Sequence, residues 1–173
     1  IYFAKYNSFG FDPSAVENVM VIAAFFVFAA LCIQLRLLAN MLDGLMAVEE
    51  GKKTATGVLY NELPDRIADV LLLVGAGYSS SWPVLGWTAA VLAVSTAYVR
   101  AVGGSLGFEQ DFSGPMAKQH RMFCLTVGSI LTPVFYFLPI MPVTLGIIII
   151  GCVITLVRRV RNVAQKLRGQ AHD

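Results

Sequence analysis

From Val143 to Val157 the chain runs apolar without a break, and four other stretches are long and mostly apolar. A run of this kind does not alternate, so it excludes the strands of a transmembrane barrel. Inside lipid only helices or closed barrels satisfy their own backbone, so helices are what remains. Composition agrees: 57% of the 173 residues are hydrophobic, mean hydropathy is +0.68, and the charged 14% falls in a few clusters. This predicts a single all-α polytopic membrane domain over residues 1–173. The net charge of +2 is small, and no nucleic-acid partner is expected.

A span needs about 20 mostly apolar residues. Five are predicted: Val16–Met46, Asp65–Ser79 with Pro64 at its start, Pro83–Val102, Met116–Leu138 and Met141–Val163. A proline at a helix start forfeits no hydrogen bond. A tight turn over 139–142 joins the last two. Joint 47–63 carries Lys52 and Lys53, joint 103–117 is long and polar, and the tail holds Arg158, Arg159, Arg161, Lys166 and Arg168. Joints 79–83 and 139–142 carry no charge. By the positive-inside rule the first group is cytoplasmic and the second lies outside. Residues 1–15 then form an outer-face segment and 158–173 a basic cytoplasmic tail. The chain opens on Ile1, and a helix ahead of the first visible one is expected, six spans in all. The basic run extends the last helix toward anionic headgroups, or serves only as a stop-transfer signal.

Polar residues inside spans carry the functional argument. Arg36, Asn40, Asp43 and Ala47 recur at spacings of four, three and four on one helical face, and Glu62, Asp65 and Asp69 form a second stripe. Carboxylates at membrane depth are costly and mark a metal, a proton path or a substrate. Oxygen ligands from two helices suit a hard divalent cation. The bland alternative is that Asp65 and Asp69 only favour a helix N-terminus. Gly44 beside Asp43 permits close backbone approach. Arg100, Lys118 and Arg121 stand at the same side and suit a phosphate, with interfacial snorkelling as the alternative, stronger for Lys118. His120 reads as a polar interfacial residue. Cys32, Cys124 and Cys152 sit singly in apolar helices and read as buried small hydrophobes with no disulfide framework.

The stretch Asn40-Met-Leu-Asp43-Gly44-Leu-Met-Ala47, followed by Asn61-Glu-Leu-Pro-Asp65-Arg-Ile-Ala-Asp69, resembles the CDP-alcohol phosphatidyltransferase signature, D-x2-D-G-x2-A-R, a spacer, then G-x3-D-x3-D. Asn40, Val48 and Asn61 depart from it, and the spacer is a few residues longer. A divergent branch of that family has Asn before the D-G pair, N-E before the third aspartate, and a later G-P-M-x-K like residues 114–118.

The resemblance implies a six-helix bundle, and transfer of a phosphatidyl group from CDP-diacylglycerol to an alcohol or phosphorylated polyol with release of CMP. It implies Asn40, Asp43, Asp65 and Asp69 as ligands of two Mg2+ or Mn2+ ions, with Glu62 as an auxiliary ligand. Asp69 would be the base. Gly44, Ala47 and Asn61 would line the cytidine pocket, and Arg100, Lys118 and Arg121 would hold the acceptor's phosphate. Membrane lipids and a second copy of the chain are the implied partners. The active site would face the cytoplasm of a bacterial inner membrane. Two other readings stay open: a degenerate relative that binds without turnover, and a small-ion transporter, although no internal repeat supports the latter.

Overall fold

The structure is a computed structural model that describes residues 13–49, 57–135 and 137–170, with side chains at 19–42, 62–135 and 137–170. The outer-face segment therefore lies almost entirely outside the described residues. The described residues form five helices: α1 (Pro13–Glu49), α2 (Gly57–Ser79), α3 (Pro83–Ser105), α4 (Lys118–Val134) and α5 (Ile140–Gln170). No strand occurs among the described residues. The protein is an all-α membrane protein.

Val19–Leu42, Pro83–Ser105 and Ile140–Gln170 are each long and apolar enough to cross a bilayer. The other two helices, α2 and α4, supply Asp65, Asp69, Lys118 and Arg121. α4 is enclosed between α1 and α5, while α2 packs chiefly on α3 and α3 on α5. The core runs along these seams through Leu73, Ala90, Ala93, Leu125, Leu145 and Ile148.

Lipid supplies no hydrophobic drive between helices, so small residues set how closely they approach. At the α2–α3 crossing a Cβ on Gly77 would lie 2.7 Å from Gly86 Cα. Only glycine at both positions lets the two backbones touch. The outward-facing apolar side chains of α1, among them Phe25, Phe28, Leu31 and Leu35, are exposed as a lipid-facing surface should be.

Several boundaries differ from expectation. α2 starts at Gly57, so Pro64 lies inside it, about two turns in. There its missing N–H forfeits the bond to the Tyr60 carbonyl and its ring crowds that oxygen, a cost of about 3 kcal/mol for an interior proline. α4 starts at Lys118, not Met116, because the Met116 N–H donates to Thr155 Oγ1 at 3.0 Å instead of entering a helix. It stops at Val134, and Leu138 N–H donates to Phe135 O at 2.9 Å ahead of α5. Residues 140–142 belong to α5. The basic run does extend the last helix, to Gln170. Of the three cysteines only Cys152 is buried; Cys124 is half-buried and Cys32 exposed. Cys32 faces outward because Ile33 and Ala30, not Cys32, lie on the buried face of α1.

Candidate functional site

The two stripes do meet. Arg36 of α1 reaches across to α2 and forks: Nη1 donates to Asp69 Oδ1 at 3.0 Å and Nη2 to Asp65 Oδ1 at 3.0 Å. Nη2 also donates to the Asp65 backbone carbonyl at 2.8 Å, which fixes the guanidinium's plane. One turn on, Asn40 Nδ2 donates to the same Asp65 Oδ1 at 3.0 Å. A residue every four positions on α1 thus addresses residues four apart on α2, as the helical repeat requires.

The remaining carboxylate oxygens are taken from α4. Lys118 Nζ pairs with Asp65 Oδ2. Arg121 Nη2 donates to Asp69 Oδ2 at 3.0 Å and its Nη1 to the Met116 carbonyl at 3.0 Å. Arg121 and Asp69 are both almost fully enclosed, with side chains 2% exposed. Charges so desolvated persist only when paired. Arg66, on α2 itself, stands 3.6 Å from Asp69 and 3.3 Å from Glu62.

Glu62 does not join the aspartates. Its Oε1 accepts from Arg100 Nη2 at 2.6 Å, and Arg100 also lies 4.9 Å over the Phe112 ring. Among the described residues the nest therefore holds three carboxylates and five cations, Arg36, Arg66, Arg100, Lys118 and Arg121. Among the described residues no three acidic, histidine or cysteine side chains are placed so that together they could hold a metal ion. Asp43, Gly44 and Ala47 fall within α1 and Asn61 within α2, but their side chains lie outside the described residues. His120 is exposed, as an interfacial residue should be.

The cations of α4 are held in place by a strap, residues 111–116, laid along α5. Gly114 takes φ +123°, and a methyl there would meet Thr155 Cγ2 at 2.5 Å, so both conformation and space require glycine. Arg159, read above as part of a basic tail, turns inward and is 5% exposed. Its Nε donates to Ser113 O at 3.0 Å and its Nη1 to Thr96 O at 2.9 Å, joining strap, α3 and α5. Asn162 Nδ2 donates to Asp111 Oδ2 at 2.8 Å, and the Ser113 N–H donates to Asp111 Oδ1 at 2.7 Å. Partial burial pushes the Asp111 carboxyl up, but these bonds and the Arg159 charge outweigh it and hold it at about 2, below the usual 3.8.

Arg36 was visible as a member of a polar stripe but had no assigned role, and Arg159 was read only as one residue of the basic tail. A signal for the latter existed. Gly151, Thr155, Arg159, Asn162 and Lys166 recur at spacings of four, four, three and four, which is one helical face.

The phosphatidylinositol phosphate synthase of Mycolicibacterium smegmatis is 27% identical to this chain over 146 residues. The match covers 78% of the chain and 64% of that relative, so the chain spans less than two thirds of its length. No protein-family model matches. The similarity joins a lipid-headgroup synthase to a chain whose polar residues gather at one end of a membrane bundle.

Proposed function

We propose that this protein is a membrane-embedded phosphatidyl transferase of the CDP-alcohol phosphatidyltransferase type. It moves a phosphatidyl group from CDP-diacylglycerol to the hydroxyl of an alcohol and releases CMP. The observation that carries this reading is the nest in which Asp65 and Asp69 of α2 face Arg36 and Asn40 of α1 and Lys118 and Arg121 of α4. The similarity to a phosphatidylinositol phosphate synthase supports it.

The donor set suits a hard divalent cation. Asp65 Oδ1 and Asp69 Oδ1 already share one cationic group, the Arg36 guanidinium at 3.0 Å from each, so the two carboxylates are spaced to serve a common positive charge. Asp65 and Asp69, with Asn40 and Asp43, would hold Mg2+ or Mn2+. When bound, such ions neutralise the charge that develops on a diphosphate. The chain's own residues do the rest. Lys118 and Arg121 fix the phosphate side of the nest through charge-assisted hydrogen bonds. Asp69 accepts the proton of the acceptor hydroxyl. The new bond forms from that oxygen to the phosphorus next to diacylglycerol, while the bond from that phosphorus to the oxygen leaving with CMP breaks.

Five cations around the nest favour an anionic acceptor, a phosphorylated polyol such as inositol phosphate ahead of a neutral alcohol. The polar ends lie beside the basic joints, which by the positive-inside rule supports a cytoplasmic site, read here as that of a bacterial inner membrane. A homodimer follows from the family reading. One observation favours a second reading, a relative that binds the nucleotide lipid without turnover: every described oxygen of Asp65 and Asp69 is already engaged by a donor.

The test is CMP release from labelled CDP-diacylglycerol by the purified protein in mixed micelles, with Mg2+ or Mn2+ and a panel of inositol phosphate, glycerol phosphate, inositol and serine. Release that needs metal and disappears in Asp69→Asn is expected. Binding of the nucleotide lipid with no release to any acceptor establishes the second reading instead.

A further inference from the structure

Two features of the nest do not follow from a set of ligands alone. The Oδ1 atoms of Asp65 and Asp69 are served together by one group from α1, while their Oδ2 atoms are served separately by Lys118 and Arg121 of α4. The shared group is an arginine locked in orientation by a third bond, to the Asp65 carbonyl at 2.8 Å. A planar fork presents two separate nitrogens at a fixed spacing to the two carboxylates, whereas an ammonium offers a single point of charge.

We infer that Arg36 is a resident counter-cation that occupies the place between Asp65 and Asp69 where a divalent ion binds, and that the two compete for it. The inference rests on the reading of those aspartates as metal-holding residues. An ion would claim the same two Oδ1 atoms that Arg36 engages, and two cations held so close repel each other, so the presence of one weakens the hold on the other. A guanidinium carries one positive charge and an ion two, so the exchange does not happen for free: it also strands a partly enclosed arginine, which is 20% exposed. The result is a site with lowered affinity for free metal.

Asn40 is part of the same device. A carboxylate at position 40, one turn along α1 from Arg36, would draw the guanidinium back onto its own helix as an i,i+4 pair. The neutral amide leaves Arg36 free to span to α2, and it donates to Asp65 as the arginine does.

The experiment is a Mn2+ binding titration on the full-length protein in detergent, read as loss of the free-ion electron paramagnetic resonance signal, for wild type, Arg36→Gln, Arg36→Lys and Arg36→Gln with Asp69→Asn. Arg36→Gln is expected to bind Mn2+ on the order of tenfold more tightly than wild type, since it removes a competing charge at contact distance. Arg36→Lys, which keeps the charge but loses the fork, is expected to fall between, and the double variant to lose the gain. An unchanged or weaker affinity in Arg36→Gln overturns the inference, as does a complete absence of Mn2+ binding in all four proteins. Should Arg36→Gln fail to fold, a wild-type affinity in Arg36→Lys overturns it. CMP release by wild type is measured on the same preparations, so a failed competition is distinguished from a failed assignment of the reaction.

Discussion

Asp69 and Arg121 meet at 3.0 Å in the most enclosed part of the nest, yet they do not depend on each other equally. Asp69 keeps Arg36 at 3.0 Å and Arg66 at 3.6 Å if Arg121 is lost. Arg121 without Asp69 keeps the Met116 carbonyl and the weakly accepting Cys152 sulfur, and its Nε already lacks a partner. Asp69→Asn is therefore expected to cost about 3 kcal/mol or more, and Arg121→Met roughly half of that, since stranding a buried charge is the larger penalty. Equilibrium unfolding in mixed micelles checks this, and equal costs for the two variants contradict it.

The α2–α3 crossing offers a matched pair of substitutions. Gly77→Ala places a methyl 2.7 Å from Gly86 Cα, where only backbone can yield, whereas Gly75 has nothing within 4 Å. The first is expected to destabilise by about 1–3 kcal/mol through overpacking. The second is expected to be neutral or slightly stabilising, as Ala favours helix over Gly. Thermal unfolding of the two variants side by side decides it.

The strap is expected to loosen in acid. Its latch carboxyl, Asp111, sits at about 2 in the folded protein against 3.8 for an ordinary aspartate. Folding thus favours the ionised form, and the contribution is fully present above pH 3.8 and is lost as pH falls toward 2. Hydrogen exchange of residues 111–116 measured across that window should show protection fading in wild type. In Asp111→Asn it should be weak throughout and independent of pH. Protection that persists in wild type down to pH 2 contradicts the latch.

Replacing Asn40 reverses a feature of this chain. Asn40→Asp adds a carboxylate beside Asp65 Oδ1, where the amide now donates at 3.0 Å, and supplies Arg36 with a partner on its own helix. Affinity for Mn2+ is expected to rise on the order of tenfold, as an added charged ligand tightens a hard-cation site, and the metal midpoint of CMP release should fall with it. An unchanged affinity excludes position 40 as a ligand position.

Helix number and the pairing of the two stripes were legible in the residues, because a four-residue repeat on α1 and another on α2 define faces before any coordinates exist. What periodicity does not disclose is the partner of each charge. Arg36 was grouped with the ligands rather than recognised as their counter-ion, since spacing places a side chain on a face without saying what lies opposite. Glu62 was grouped with Asp65 and Asp69 for the same reason, yet it pairs with Arg100 of α3. Arg159 was concealed differently: four other basic residues nearby suggested an interfacial run, and only its spacing from Thr155 and Asn162 set it apart. Pro64 and Met116 show the limit of local rules: the Met116 N–H bonds to Thr155 ahead of α4, and the proline lies well inside α2 rather than at its start.

The span of chain between Arg36 and its partners has a consequence for biogenesis. Arg36 precedes Asp65 by 29 residues and Asp69 by 33, so during synthesis its guanidinium reaches the membrane before either acid has left the ribosome. A lone arginine at that depth is disfavoured in lipid. Release of α1 and α2 into the bilayer together, as a neutralised hairpin, is therefore the expected order of insertion.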